Sequence, residues 1–266
     1  MAIEKPFCVL PLPLTGITTN NARSNRGATH LALPEYSGMI WQTEGSAGGV
    51  FARGQFDGVT AAVNFMSLMG ANAQPGTTIR LRLGTTQAEV DGAAPYDSGA
   101  LTLISPARTR GDGLYHSHLE LPSVVNASWW RIDIGGHTGD FSASALIMGE
   151  KRTPARFYNR DRELGYEDLG TLEISRNGVV AETPGVVLKA MLFRLGWVSE
   201  EEWWSLWASL FAGRGKRQVL YWCFDADATV RRQDKSYLGF MARDMFMRGG
   251  TSPMQNEVDV QFRASL

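Results

Sequence analysis

The chain has 266 residues, of which 44% are apolar and 20% charged, with a formal net charge of −1 and a pI near 6.4. That length supports one large domain or two ordinary ones with a real core. The balanced charge excludes the basic footprint of a nucleic-acid or anionic-membrane binder, and no uncharged apolar run reaches the ~18 residues of a spanning helix.

At the N-terminus, "MAIEKPFCVLPLPL" places an acid before its first lysine and interrupts its apolar run at Pro11 and Pro13. It does not read as a secretory signal, so a soluble protein made in a cytoplasm is expected. Cys8 and Cys223 both sit in apolar runs and read as buried thiols, not as a disulfide framework.

Short apolar runs then recur between turn signals such as Asp57-Gly58, Asp91-Gly92 and Asp112-Gly113. Strands are predicted at 38–41, 49–56, 59–68, 77–83, 100–104, 114–121, 129–134 and 142–148, with no amphipathic helix among them. Many short strands at this spacing predict an antiparallel sandwich or jelly roll over residues 1–149. Within it, "FMSLMGANAQPGTTIRLRLG" (65–84) is a strand, a turn through Pro75-Gly76, and a second strand. Thr77, Ile79, Leu81 and Leu83 take one face of that strand, and Thr78, Arg80 and Arg82 the other. The loop carries no nucleophile or acid.

"YHSHLE" puts His116, His118 and Glu120 on one face of a strand, which is an open metal set in form. A solvated strand face opposite Leu119 and Leu121 explains the same letters and is the expectation here, with no metal. His30 and His137 lack partners in the sequence. Arg110-Gly111-Asp112 reads as a hairpin turn. Asn126-Ala127-Ser128 is a sequon that matters only in a secretory route. The glycine-rich "GSAGGVFARG" lacks the strand–GxGxxG–helix context of a nucleotide loop.

Residues 150–184 change character. "EKRTPARFYNRDRELGYEDLG" is dense in both charge signs and reads as an extended connector or an arm gripping a neighbour. The remainder, 185–266, reads as strand, helix and three strands, forming a smaller α+β or β-sandwich domain. Its helix has Ser199 as N-cap, Glu202 three residues on, and a stop at Gly213. Trp203, Trp204, Leu206, Trp207, Leu210 and Phe211 form an apolar face, and Ser205, Ala208, Ser209 and Ala212 a small one. In "VLYWCFDADATV", Asp225 and Asp227 match the opening motif of haloacid-dehalogenase-type phosphatases, whose paired carboxylates share a metal and a phosphate. The motif comes about forty residues before the end, where that family needs a long doubly wound domain. An acidic turn, and no enzyme, is expected.

Taken together, "MIWQTEGSAGGVFARGQF", "GANAQPGTTIRLRLG" and "SWWRIDIGGHTGDFSASALIMGE" resemble a galactose-binding-like (discoidin-type) jelly roll. Asn72, 79–83, Trp130-Arg131-Ile132 and Ile147-Met148-Gly149 occupy the family's loop and strand positions. The charged connector and "MLFRLGWVSEEEWWSLWASLFAGRGKRQVLYWCFD" resemble modules of minor tail and distal-tail proteins of long-tailed phages.

That resemblance implies a virion protein of the tail tip or baseplate, acting by assembly without a cofactor. Its implied partners are other tail proteins and copies of itself, in a hexameric or trimeric ring. The expected interface is Ser205, Ala208, Ser209 and Ala212 with Arg156, Arg160 and Glu163. The alternative is a carbohydrate-binding module that meets a host-surface glycan through loop residues Asp57, Tyr96 and Asp97.

Overall fold

The computed structural model describes residues 5–36, 38–58, 60–159, 161–212, 215–249 and 255–265. The fold is mainly β, with antiparallel sheets and one short tryptophan-bearing helix in the second half. The chain divides into two compact units, Met1–Thr153 with Leu220–Ser236, and Pro154–Val219 with Tyr237–Ser265.

The first unit opens with β1 (Phe7–Val9), β2 (Leu14–Thr19), β3 (Trp41–Gln42), β4 (Val50–Phe56), β5 (Ala61–Met69) and β6 (Thr78–Gly84). A short helix, α1 (Gln87–Asp91), is followed by β7 (Tyr96–Asp97), β8 (Leu101–Thr102), β9 (Leu119–Ala127) and β10 (Trp129–Gly135). β11 (Ser142–Ala143), β12 (Ala145–Gly149) and β13 (Lys151–Arg152) complete this stretch. Strands β2-β4-β10-β6-β7 make one sheet and β12-β5-β9 another.

Strict alternation builds the sandwich core. Val50, Ala52 and Phe56 of β4, Trp130, Ile132 and Ile134 of β10, and Ile79, Leu81 and Leu83 of β6 point inward. They cluster with Val63, Met66 and Leu68 of β5 and Leu146 and Met148 of β12. Each Val, Leu, Ile, Met or Phe side chain among them contributes about 1.5–3 kcal/mol by leaving water. The turn after β5 is a jelly-roll corner, as its letters imply. Gly70 has φ +62°, and a Cβ there would lie 2.5 Å from Ser144 Oγ. Asn72 ties that corner down, accepting from Ser142 N at 2.8 Å and donating to Asp140 O at 2.8 Å.

In the second unit, β14 (Glu163–Asp168), β15 (Thr171–Ile174) and β16 (Val180–Thr183) occupy much of what the sequence presents as a connector, and β17 (Val187–Val198) follows it as the expected first strand of the C-terminal segment. α2 (Glu200–Glu202), a π turn at Trp203–Trp207 and α3 (Ala208–Phe211) make the helix. The chain then returns to the first unit as β18 (Val219–Cys223), and afterwards supplies β19 (Ser236–Met241), β20 (Met247–Gly249) and β21 (Asn256–Ala264). The second unit's sheet runs β19-β21-β17-β14, with β20 also on β21.

Residues 220–236 therefore lie with the first unit, although the sequence places them in a C-terminal domain of 185–266. The reason lies in β5. Phe65, Ser67 and Met69 are as buried as the residues alternating with them, so both faces of the strand are covered. Phe7 of β1 covers Phe65 with ring centroids 5.0 Å apart, and Tyr221 of β18 with centroids 4.9 Å apart. β1 and β18 pair antiparallel, Phe7 opposite Cys223 and Cys8 opposite Trp222. The two cysteines are thus one position out of register, and both are free, buried thiols. Burial pushes each thiol up to about 12.

Candidate functional site

The outward face of the β2-β4-β10-β6-β7 sheet carries a dense row of ion pairs. Register places Arg53 of β4, Arg131 of β10 and Arg82 of β6 side by side on three consecutive strands. Like charges directly opposite one another destabilise a sheet unless carboxylates intervene. Two do. Asp91, at the end of α1, pairs with Arg53 and, at 2.8 Å, with Arg131. Asp133 accepts from Arg131 Nε at 2.9 Å and from Arg82 Nη2 at 2.7 Å. Beside this row, Arg80 grips Asp97, donating from Nε at 2.7 Å and also from Nη2. That grip holds the Asp97 carboxyl down at about 2.

The helix that delivers Asp91 is locally encoded. Thr86 caps it by accepting from Glu89 N, and the Glu89 carboxylate reaches back to Thr86 N, a complete capping box. Phe51 lies under the row with the Arg131 guanidinium 3.9 Å from its ring centre. Above these side chains opens a cleft of about 480 Å³, lined by Asn20, Phe51, Thr78, Arg80, Arg82, Arg131 and Asp133, with Gly48 and Gly49 at the edge. The arrangement can donate many fixed hydrogen bonds to a polar ligand, with one aromatic ring beside them.

The predicted glycan loop is not one site. Asp57 follows β4, and β10 and β6 stand between that strand and β7, which carries Tyr96 and Asp97. Three strand spacings amount to about 14 Å. Asp97 belongs to the arginine face, half-buried Tyr96 is held up by desolvation, and Asp57 is an exposed turn residue.

The expected solvent face of "YHSHLE" is also overturned. His116 is buried, the His118 side chain is only 6% exposed, and β9 begins after them at Leu119. His116 Nδ1 accepts from Gly70 N at 3.1 Å, and His118 packs against Phe7 and Phe65. His118 Nε2 lies 2.8 Å from Glu120, whose other oxygen takes Lys151. The layer that β1 and β18 lay over the second face of β5, which the sequence does not announce, covers the His118 ring. Among the described residues no group of three or more His, Cys, Asp or Glu is gathered as metal ligands. Asp225 is paired with Lys235 at 2.5 Å, and Asp227 accepts from Thr229 N through its backbone oxygen.

In the helix, Ser199 caps Glu202 N at 3.0 Å, as its sequence implies. The expected tryptophan face is reduced to Trp207 and Leu210 as fully buried members, while Trp204 is 64% exposed. The π turn widens each turn by one residue and swings Trp204 out of the stripe. Ser205, Ser209 and Ala212 are exposed and Ala208 is half-buried. Arg156 is spent on its own chain, stacked 4.6 Å from the Trp197 ring centre. Glu163 lines a second-unit cleft with Arg194 and Phe246. Arg160 and the predicted stop at Gly213 lie outside the described residues.

No family model and no curated protein matches the chain. Among solved structures, a chitosan-binding module of a Paenibacillus sp. IK-5 chitosanase/glucanase is similar, with 15% identity over 53% of this chain and 98% of that one, and a TM-score of 0.36. A Streptococcus pneumoniae fucose-binding module matches with 9% identity over 53% and 95%, at 0.40. The N-terminal domain of the single-strand break repair protein XRCC1 matches with 11% identity over 53% and 99%, at 0.37. At that depth of likeness, what this chain binds is decided by its own side chains.

Proposed function

We propose that this protein works by binding, without catalysis, and that its first unit is a carbohydrate-binding module. The observation that carries this is the open cleft on the outer sheet face, where planar guanidiniums, Asn20 and Thr78 surround one aromatic ring. Saccharides present many hydroxyls in fixed directions, and such a rigid array of planar hydrogen-bonding groups suits them.

A glycan array probed with the full chain tests it. Binding is expected to selected saccharides, to fall about tenfold or more in Arg131→Ala, and to persist in Asp57→Asn. No binding to any saccharide, or undiminished binding by a folded Arg131→Ala, would overturn it.

A second reading, assembly into a phage tail tip as a virion protein, is favoured by the ribbon β14–β17. Its distal hairpin, β15 with β16, is exposed at every residue, and Leu172, Ile174 and Val180 are each more than half exposed. An isolated two-stranded hairpin is marginal in water, so this arm needs cover, and the occupant proposed is a neighbouring copy in a ring. The backbones of Gly170 and Gly185 touch at its base, since a Cβ on Gly185 would lie 2.0 Å from Gly170 N. The arm can therefore be excised there. Removing 171–183 is expected to leave the thermal transition nearly unchanged and to abolish oligomers in sedimentation. Ala208→Glu is expected to weaken them. An armless chain that still forms the wild-type oligomer would remove this reading.

A further inference from the structure

The hydrogen-bond ledger of the arginine face points to the chemistry of its ligand. Every carboxylate oxygen on that face is already engaged by a guanidinium. Asp133 Oδ1 receives Arg131 and its Oδ2 receives Arg82. Asp97 offers both oxygens to Arg80, and one of them also takes Gly99 N at 2.9 Å. Asp91 divides its two between Arg53 and Arg131.

Donors remain in excess, because a guanidinium carries five N–H groups. Arg80 donates from Nε and Nη2, and among the described residues its Nη1 meets no acceptor. Four guanidiniums face three carboxylates, so the face keeps a positive charge. The ion-paired row of Arg53, Arg131 and Arg82 adds nothing to the core, whose packing lies on the opposite side of the same strands.

A neutral sugar hydroxyl both donates and accepts, and each carboxylate oxygen beside the cleft already spends at least one of its acceptor sites on a guanidinium. An anionic group accepts without donating, which is what the surplus N–H groups require. We infer that this cleft selects saccharides bearing acidic groups, a carboxylate, sulfate or phosphate, with Arg80 as the residue that receives the anion, since Arg131 already commits all three of its nitrogens to Asp91 and Asp133. The inference rests on the carbohydrate reading and narrows it.

The full chain would be titrated calorimetrically with uronate, sulfated and phosphorylated oligosaccharides and with neutral oligosaccharides of equal length. Titrations run at about 50 and about 300 mM salt. The partly exposed Arg80–Asp97 pair contributes little to stability, so Arg80→Gln and the charge-balanced Arg80→Gln/Asp97→Asn are suitable variants, with melting curves confirming the fold.

At least one acidic class is expected to bind about tenfold or more tighter than its neutral counterpart, to weaken with salt, and to lose about tenfold in both variants. Which acidic class binds identifies the source of the anion. Equal affinity for acidic and neutral saccharides overturns this inference while leaving the carbohydrate reading intact. Failure of every saccharide overturns both. Inorganic sulfate or an acidic peptide binding as tightly as the best saccharide also overturns it, because the site would then read charge alone.

Discussion

A fragment ending at Gly149 is expected not to fold cooperatively, although it spans every strand that the sequence assigns to the jelly roll. The fragment lacks β18 and the segment that follows it. Tyr221 would no longer cover Phe65 and Phe7, so two core aromatics would face water and a third would be gone. At about 1.5–3 kcal/mol each, that loss is roughly 5–9 kcal/mol, comparable with the whole stability of a domain at about 5–15 kcal/mol.

Polar ties are lost as well. Arg232 donates to Ser105 O at 2.8 Å, His116 N donates to the Gln233 side chain at 3.2 Å, and Arg108 pairs with Asp234. Circular dichroism on heating checks the prediction, with a peptide spanning 219–236 added in trans as the rescue arm. A single sharp transition of the bare fragment, within a few degrees of the full chain, would show that the returning segment is dispensable.

Much of this fold is legible from local pattern. Strands β4 and β10 alternate cleanly, the corner after β5 announces itself in Pro75-Gly76, and Ser199 caps its helix as the letters say. What escapes the sequence depends on partners distant along the chain. "FMSLM" carries a trace of the third layer, because buried Phe65, Ser67 and Met69 break the period-2 pattern of a half-solvated strand. Nothing local identifies a strand some 150 residues away as its cover.

The arginine face is similar. Arg80 and Arg82 show on one face of β6 by simple alternation. Arg53 and Arg131 join them only through the register of β4 and β10, and Asp91 only through the capping box that forms α1. Had Thr86 and Glu89 been read as that box, the helix and the position of its last acid would have been visible. The exposure of Trp204 follows from a π turn that no spacing rule anticipates.

Replacing His118 by alanine is expected to destabilise the first unit by about 2–4 kcal/mol, where a surface histidine would cost less than about 1 kcal/mol. The ring fills space between Phe7 and Phe65, so its removal leaves a cavity. It also takes a hydrogen bond from Glu120, which keeps Lys151. Burial holds the imidazole below its ordinary range, so at neutral pH it is uncharged and donates Nε2–H to the carboxylate. Burial also pushes Glu120 up, but the hydrogen bonds from His118 and Lys151 outweigh it and hold the carboxyl at about 2.

Both shifts have the same sign for stability. Below about pH 6.5 the unfolded chain protonates the histidine more readily than the folded one does, and below about 4.5 it protonates the glutamate more readily. Stability from this pair is therefore full at neutral pH, declines as pH falls through 6.5, and declines again between about 4.5 and 2. Urea melts at about pH 7.5, 5.5 and 3.5 should show wild type losing stability at each step. Glu120→Gln should lose the lower limb, and His118→Ala the upper. A His118→Ala protein within about 0.5 kcal/mol of wild type at neutral pH would return this histidine to the solvated face that the sequence suggests.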